Sequence, residues 1–106
     1  INHRETVFGG SASAVAILSA WTLMYLRLKK EQFNTRIVIQ RNTMAYERPI
    51  TGTFSASATM PDVPAWRRFV ETLRRRNRAR FTVHSVLCCN GENVATFEGD
   101  FVAWVL

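Results

Sequence analysis

The chain has 106 residues, 14 Lys+Arg against 8 Asp+Glu, a formal net charge of +6 and 47% hydrophobic residues. That length holds one domain, and the apolar content excludes a disordered tail. The only two cysteines, adjacent at Cys88 and Cys89, exclude a disulfide framework and a Cys/His metal motif, so no metal site is expected and a reduced, cytoplasmic setting is.

The first element is announced by 21 residues without charge, Thr6 to Leu26. That length would span a bilayer. Seven of the 21 are Gly, Ser or Thr, however, and the expectation is a helix buried on nearly all sides in a soluble core, with no membrane partner. Gly9-Gly10-Ser11 marks its start, and Lys29 and Lys30 complement the dipole at its end. Arg36 to Arg48 follows as a strand around β-branched Ile37, Val38 and Ile39, and Pro49 and Gly52 turn the chain. Thr53 to Thr59 is a strand of small residues. Pro61-Asp62-Val63-Pro64 stops it and starts a second helix, with Asp62 as N-cap.

In that helix Trp66, Phe69, Val70 and Leu73 fall at i, i+3, i+4 and i+7, one apolar face. Arg80 to Cys89 alternates as a strand with Phe81, Val83, Ser85 and Leu87 on one side. Asn90-Gly91 signals a tight hairpin, and Asn93 to Leu106 returns as a strand with a bulge expected at Gly99. One long helix with at least four antiparallel strands is an α+β layout, a sheet wrapped around the helix.

The charge is concentrated. Asp62 to Arg80 holds seven arginines and two acids, a local +5. A solvated helix face accounts for such a run. Phosphate binding by Arg74, Arg75 and Arg76 is the functional reading beside it, and nucleic acid ranks below both.

Chemistry is expected where the long helix begins. A helix N-terminus carries unpaired N–H groups and the positive end of the dipole, which can polarise a carbonyl and hold an oxyanion. Gly10 leaves room for close approach, Ser11 offers a hydroxyl or a cap, and Asn2 can orient a water or a carbonyl. The same residues also read as an ordinary glycine entry with a capping serine, and both readings stand at this point.

The ordered set Asn2, Thr6, Phe8, Gly9, Gly10 and Ser11, followed by Tyr46, Pro49 and Gly52, the helix at Trp66–Arg78 and the closing Phe97-Glu98-Gly99-x-Phe101-Val102, resembles the hotdog-fold thioesterase superfamily. Within it, the resemblance is to the YiiD C-terminal type of thioesterase domain. It covers nearly the whole chain, as a single domain over residues 1–106.

The resemblance implies an acyl-CoA or acyl-carrier-protein thioesterase. It implies no cofactor beyond the coenzyme A of the substrate, and a homodimer or tetramer with sites at subunit interfaces. The catalytic set implied is Asn2, Gly10 and Ser11, with Phe8, Gly9, Arg74, Arg75 and Arg76 binding substrate. Two departures accompany it. No strand is expected before the helix, and the non-Met start at Ile1 suggests a processed or cut chain. Ile17 stands where a related branch has its helix acid, leaving His3, Glu5 and Glu47 as candidate bases. A hotdog module that only binds acyl groups or assembles is the rival reading.

Overall fold

A computed structural model describes residues 2–6, 9–50, 53–59 and 62–106, with residues 2–6 and 9–11 described by their backbone alone. The assignments made for Phe8, Gly52 and Pro61 lie outside the described residues. The order is β1 (Asn2–Thr6), α1 (Gly9–Lys30), β2 (Thr35–Tyr46), β3 (Thr53–Thr59), α2 (Val63–Arg76), β4 (Arg78–Cys89) and β5 (Glu92–Val105). The five strands form one antiparallel sheet in the order β1-β3-β4-β5-β2. This is the α+β hotdog arrangement expected.

One expectation is corrected at the start. A strand does precede the long helix: β1 pairs with β3, Asn2 opposite Ser57 and Thr6 opposite Thr53. The polar Asn2–Thr6 segment lacks an apolar alternation, so its pairing with a small-residue strand was invisible in its own pattern.

Both helices cover the same face of the sheet. On β4 the buried residues alternate strictly, Ala79, Phe81, Val83, Ser85, Leu87 and Cys89, so they share one face. α1 packs there through Ala12, Val15, Ala16, Ser19, Ala20, Met24 and Leu28, all buried. Its small residues let it lie close to β3, where the Ser19 hydroxyl donates to the Ala56 carbonyl at 3.4 Å. α1 ends as its sequence suggests, with basic residues in the last turn. Gln32 is left-handed (φ 67°), and the Gln32 and Phe33 amides donate to the carbonyls of Lys29 and Leu28.

α1 is not buried on all sides. Leu18 and Leu26 are 49% and 50% exposed, and Ala14 is exposed with them. An apolar residue on every side specifies that a helix avoids water, not which of its sides this chain covers.

α2 follows its periodicity. Asp62 caps it, accepting from the Ala65 amide at 3.3 Å, and Trp66, Phe69, Val70 and Leu73 are buried. Trp66, Phe69 and Phe81 form a ring cluster with centroids 5.1 to 5.4 Å apart. The Trp66 indole N–H donates to Glu31, tying α2 to the end of α1. The helix stops two residues before the expected Arg78, because Asn77 turns left-handed (φ 60°) and releases Arg78 into β4.

Gly99 is not a bulge. It pairs in register with Asn42 and Val83. A Cβ there would lie 2.7 Å from a Phe97 ring carbon and 3.0 Å from Phe101, so the glycine makes room for two buried rings. The irregularities fall elsewhere. Gln40 is extra on β2, between the Ile39–Phe101 and Arg41–Asp100 pairs. Val94 is extra on β5, between Ala95 and Asn93. The hairpin itself is as expected, Asn90 and Gly91 both having positive φ (53° and 79°).

Candidate functional site

The register divides the molecule into two ends. α1 begins three residues beyond Thr6 of the Thr6–Thr53 pair, and next to Thr53 the strand partners are Phe54 and Cys89. The start of α1, the Asn90-Gly91 hairpin and the close of β2 therefore share one end of the sheet. The close of α1 lies at the other, where Trp66 reaches Glu31 and Arg74 lies over the Phe33 ring at 5.5 Å. The 22 residues of α1 span about 33 Å between these ends.

At the first end, Gly9, Gly10 and Ser11 form the opening turn of α1, which carries no acid. The amides of that turn have no partner within the helix and carry its positive partial charge. A cavity of about 480 Å³ opens at the same end of the sheet, lined by Arg48, Pro49, Cys89, Asn90, Glu92 and Val94. The Val94 bulge shapes it: its carbonyl accepts both the Glu47 and Arg48 amides, at 2.9 and 3.1 Å, pinning the end of β2 to the hairpin. An Arg48–Glu92 ion pair closes over this junction. The Glu47 carboxylate is exposed at the same end and makes no ion pair among the described residues.

Asn2 is not brought to Gly10 within one chain. Ser19 reaches the Ala56 carbonyl, and Ala56 is the partner of His3, so α1 runs back along β1. Asn2 thus lies level with the part of the helix about nine residues, or roughly 13 Å, beyond Gly10. Arg74, Arg75 and Arg76 are farther still, at the opposite end. Nor do they form one cluster: successive helical residues point about 100° apart. Arg74 meets Phe33, whereas Arg76 faces β4 together with Arg78 and Arg80. Ile17, at the position of the related branch's acid, is half-buried and packed against the core.

His84 is exposed on the open face, 3.7 Å from Glu98. Cys88 and Cys89 point to opposite faces of β4 and are unbridged, the Cys88 thiol donating to Asn93. Trp21 stacks on Tyr25 at 5.1 Å and donates its indole N–H to the Ile37 carbonyl at 3.0 Å, which fixes α1 against β2. Among the described residues, no group of three or more His, Cys, Asp or Glu could hold a metal, and no helix is long and apolar enough to cross a membrane.

The family model described as "Putative thioesterase (yiiD_Cterm)" matches residues 1–105. Among solved structures, the chain is similar to a protein of unknown function from Chlorobaculum tepidum TLS. The TM-score is 0.89 at 22% identity, covering 95% of this chain and 68% of that one. A putative thioesterase from Shewanella oneidensis matches with TM-score 0.81 at 24% identity, over 93% and 66%. A Bacillus halodurans protein solved with CoA matches with TM-score 0.69 at 14% identity, over 99% and 68%. The chain therefore spans about two thirds of the length of these structures, and the likeness is one of fold.

Proposed function

The chain belongs to the YiiD C-terminal thioesterase family, and from that premise we propose that it hydrolyses an acyl-CoA or acyl-carrier-protein thioester at the N-terminus of α1. The observation that carries the reading is the acid-free opening turn Gly9-Gly10-Ser11, at the sheet end that also holds the cavity of about 480 Å³. The Gly10 and Ser11 amides would polarise the thioester carbonyl and hold the oxyanion formed when water attacks it. Glu47 is the described carboxylate without an ion pair at that end, and takes the proton from the attacking water in this scheme. Coenzyme A or the carrier is part of the substrate, and no further cofactor is invoked.

Asn2 and the arginines enter this chemistry only from a second copy. Two features support a homodimer or higher assembly. Leu18 and Leu26 leave an apolar face of α1 in water. Among the described residues, the 12-residue strand β2 pairs on one side alone, with β5. A head-to-tail pair of copies would bring the arginine end of one toward the Gly10 end of the other.

The test is thioester turnover by the purified chain across acyl-CoAs and acyl carriers of graded chain length. Turnover well above the spontaneous rate is expected for at least one acyl class. No turnover with the fold intact rejects hydrolysis. Acyl binding without turnover would instead support the second reading, a hotdog module that only binds. That reading draws on one observation, the half-buried Ile17 where a related branch carries its acid.

A further inference from the structure

β3 pairs with β4 only from Phe54–Cys89 to Thr59–His84. The rest of β4, Arg78 to Val83, is paired with β5 on one side and, among the described residues, has no strand on the other. Alternate N–H and C=O groups of this stretch therefore point away from the sheet. α2 lies alongside, leaving a groove between helix and strand. Two adjoining cavities of about 340 and 390 Å³ make up this groove, sharing Thr72, Ala79 and Arg80. That size suits a small organic ligand.

Arg68, Thr72 and Arg76 stand at i, i+4 and i+8, one ridge of α2, and line these cavities together with Arg78 and Arg80, which alternate to the other face of β4 at its edge. All four arginines are exposed, and none forms an ion pair among the described residues. Arg78 is ordered over the Trp104 ring at 5.6 Å. No acid lines either cavity, and the Thr82 hydroxyl of the groove donates to the Asp100 carboxylate at 2.7 Å. Phe69, Phe81 and Val102 supply apolar surface between the charges.

We propose that this groove is a second ligand site, binding the phosphates of a nucleotide through Arg68, Arg76, Arg78 and Arg80. Guanidinium forks match phosphate oxygens bidentately. The apolar floor and the open β4 edge suit the base and sugar. A diffuse polyanion needs charge alone, whereas this site couples charge to a concave, part-apolar groove. It lies the length of α1 from Gly10, farther than a nucleotide spans, so it stands apart from the hydrolytic site of its own chain. The nucleotide is either free or the adenosine bisphosphate part of coenzyme A.

Calorimetric titration at low ionic strength tests this, with adenosine 3′,5′-bisphosphate, coenzyme A, adenosine and a random DNA duplex as probes. The bisphosphate should bind and adenosine should not. The double variant Arg76→Ala/Arg80→Ala should lose about tenfold or more in affinity, from two charge-assisted contacts removed. The charge-matched Lys30→Ala/Arg67→Ala, away from the groove, should lose less than about twofold, since surface charges act weakly through solvent. Coenzyme A binding no tighter than the bisphosphate identifies the nucleotide alone as what is read. Tighter coenzyme A binding, also lost in the groove variant, identifies the substrate's carrier as the source.

Absent bisphosphate binding, equal losses in the two double variants, or duplex binding that outcompetes the bisphosphate each overturns the proposal. The readout is binding, so thioester hydrolysis stands or falls separately. The substituted arginines are exposed, and unchanged thermal melting confirms that the variants fold.

Discussion

The two helices use their residues in opposite ways. α2 separates them sharply: Trp66, Phe69, Val70 and Leu73 inward, arginines outward. α1 is apolar on both its covered and its uncovered sides, with Ala16 and Met24 buried and Leu18 and Leu26 in water. α2 is thus complete within one chain, and its side chains remain available for ligands. α1 offers its backbone at Gly9–Ser11 and a flank that one chain leaves uncovered. The difference shows that amphipathicity reports where a helix sits, whereas uniform apolarity reports only that it avoids water.

The largest expected effect tests the self-sufficiency of α2. Phe69→Ala removes the ring that contacts both Trp66 and Phe81. It should cost about 3–5 kcal/mol in denaturant unfolding. Leu18→Ala, on the uncovered side of α1, should stay within about 0.5 kcal/mol in a monomer. If Leu18→Ala costs as much as Phe69→Ala, a second chain covers α1 in solution, and the contrast between the helices is one of partners and not of design.

Next comes the claim that α1 acts through its backbone. Gly10→Val keeps a helical residue in the opening turn but puts a branched side chain where a carbonyl must approach. Turnover should fall about 100- to 1000-fold, the usual cost of losing an oxyanion donor. Ser11→Ala keeps the amide and should cost much less. Steady-state rates on the best thioester decide this, and full activity in Gly10→Val removes α1 from the mechanism.

Legibility followed the same divide. α2, its Asp62 cap, β3 and the Asn90-Gly91 hairpin were readable because each rests on local spacing or turn chemistry. β1 was not, since Asn2–Thr6 has no apolar alternation and is a strand only because β3 pairs with it. Gly99 carried a true signal with the wrong cause: the constraint is two rings beside it, which only the fold brings together. The Gly9–Ser11 turn was legible as the start of α1, but the 13 Å to Asn2 and the far arginines depend on register and helix direction. Arg74-Arg75-Arg76 stood out as neighbours in sequence, yet the groove selects Arg68 and Arg76 by i, i+4, i+8 spacing and adds Arg78 and Arg80 from the next strand. That spacing was present in the sequence; the strand facing it was not.

The smallest expected effect concerns how each helix begins. α2 opens on a side chain, the Asp62 carboxylate accepting the Ala65 amide at 3.3 Å. Asp62→Ala should cost about 1 kcal/mol, the usual value for a lost N-cap. Asp62→Asn should recover most of it, because the amide oxygen accepts the same bond. The carboxylate also neutralises part of the helix's positive end, a further few tenths of a kcal/mol that Asn lacks. Thermal melts of the three proteins at low and high salt separate the two parts, since only the charge contribution is screened. If Asp62→Ala and Asp62→Asn are equally destabilising at both salts, the cap is not what starts α2. The Val63–Pro64 turn and the buried Trp66 would then start it.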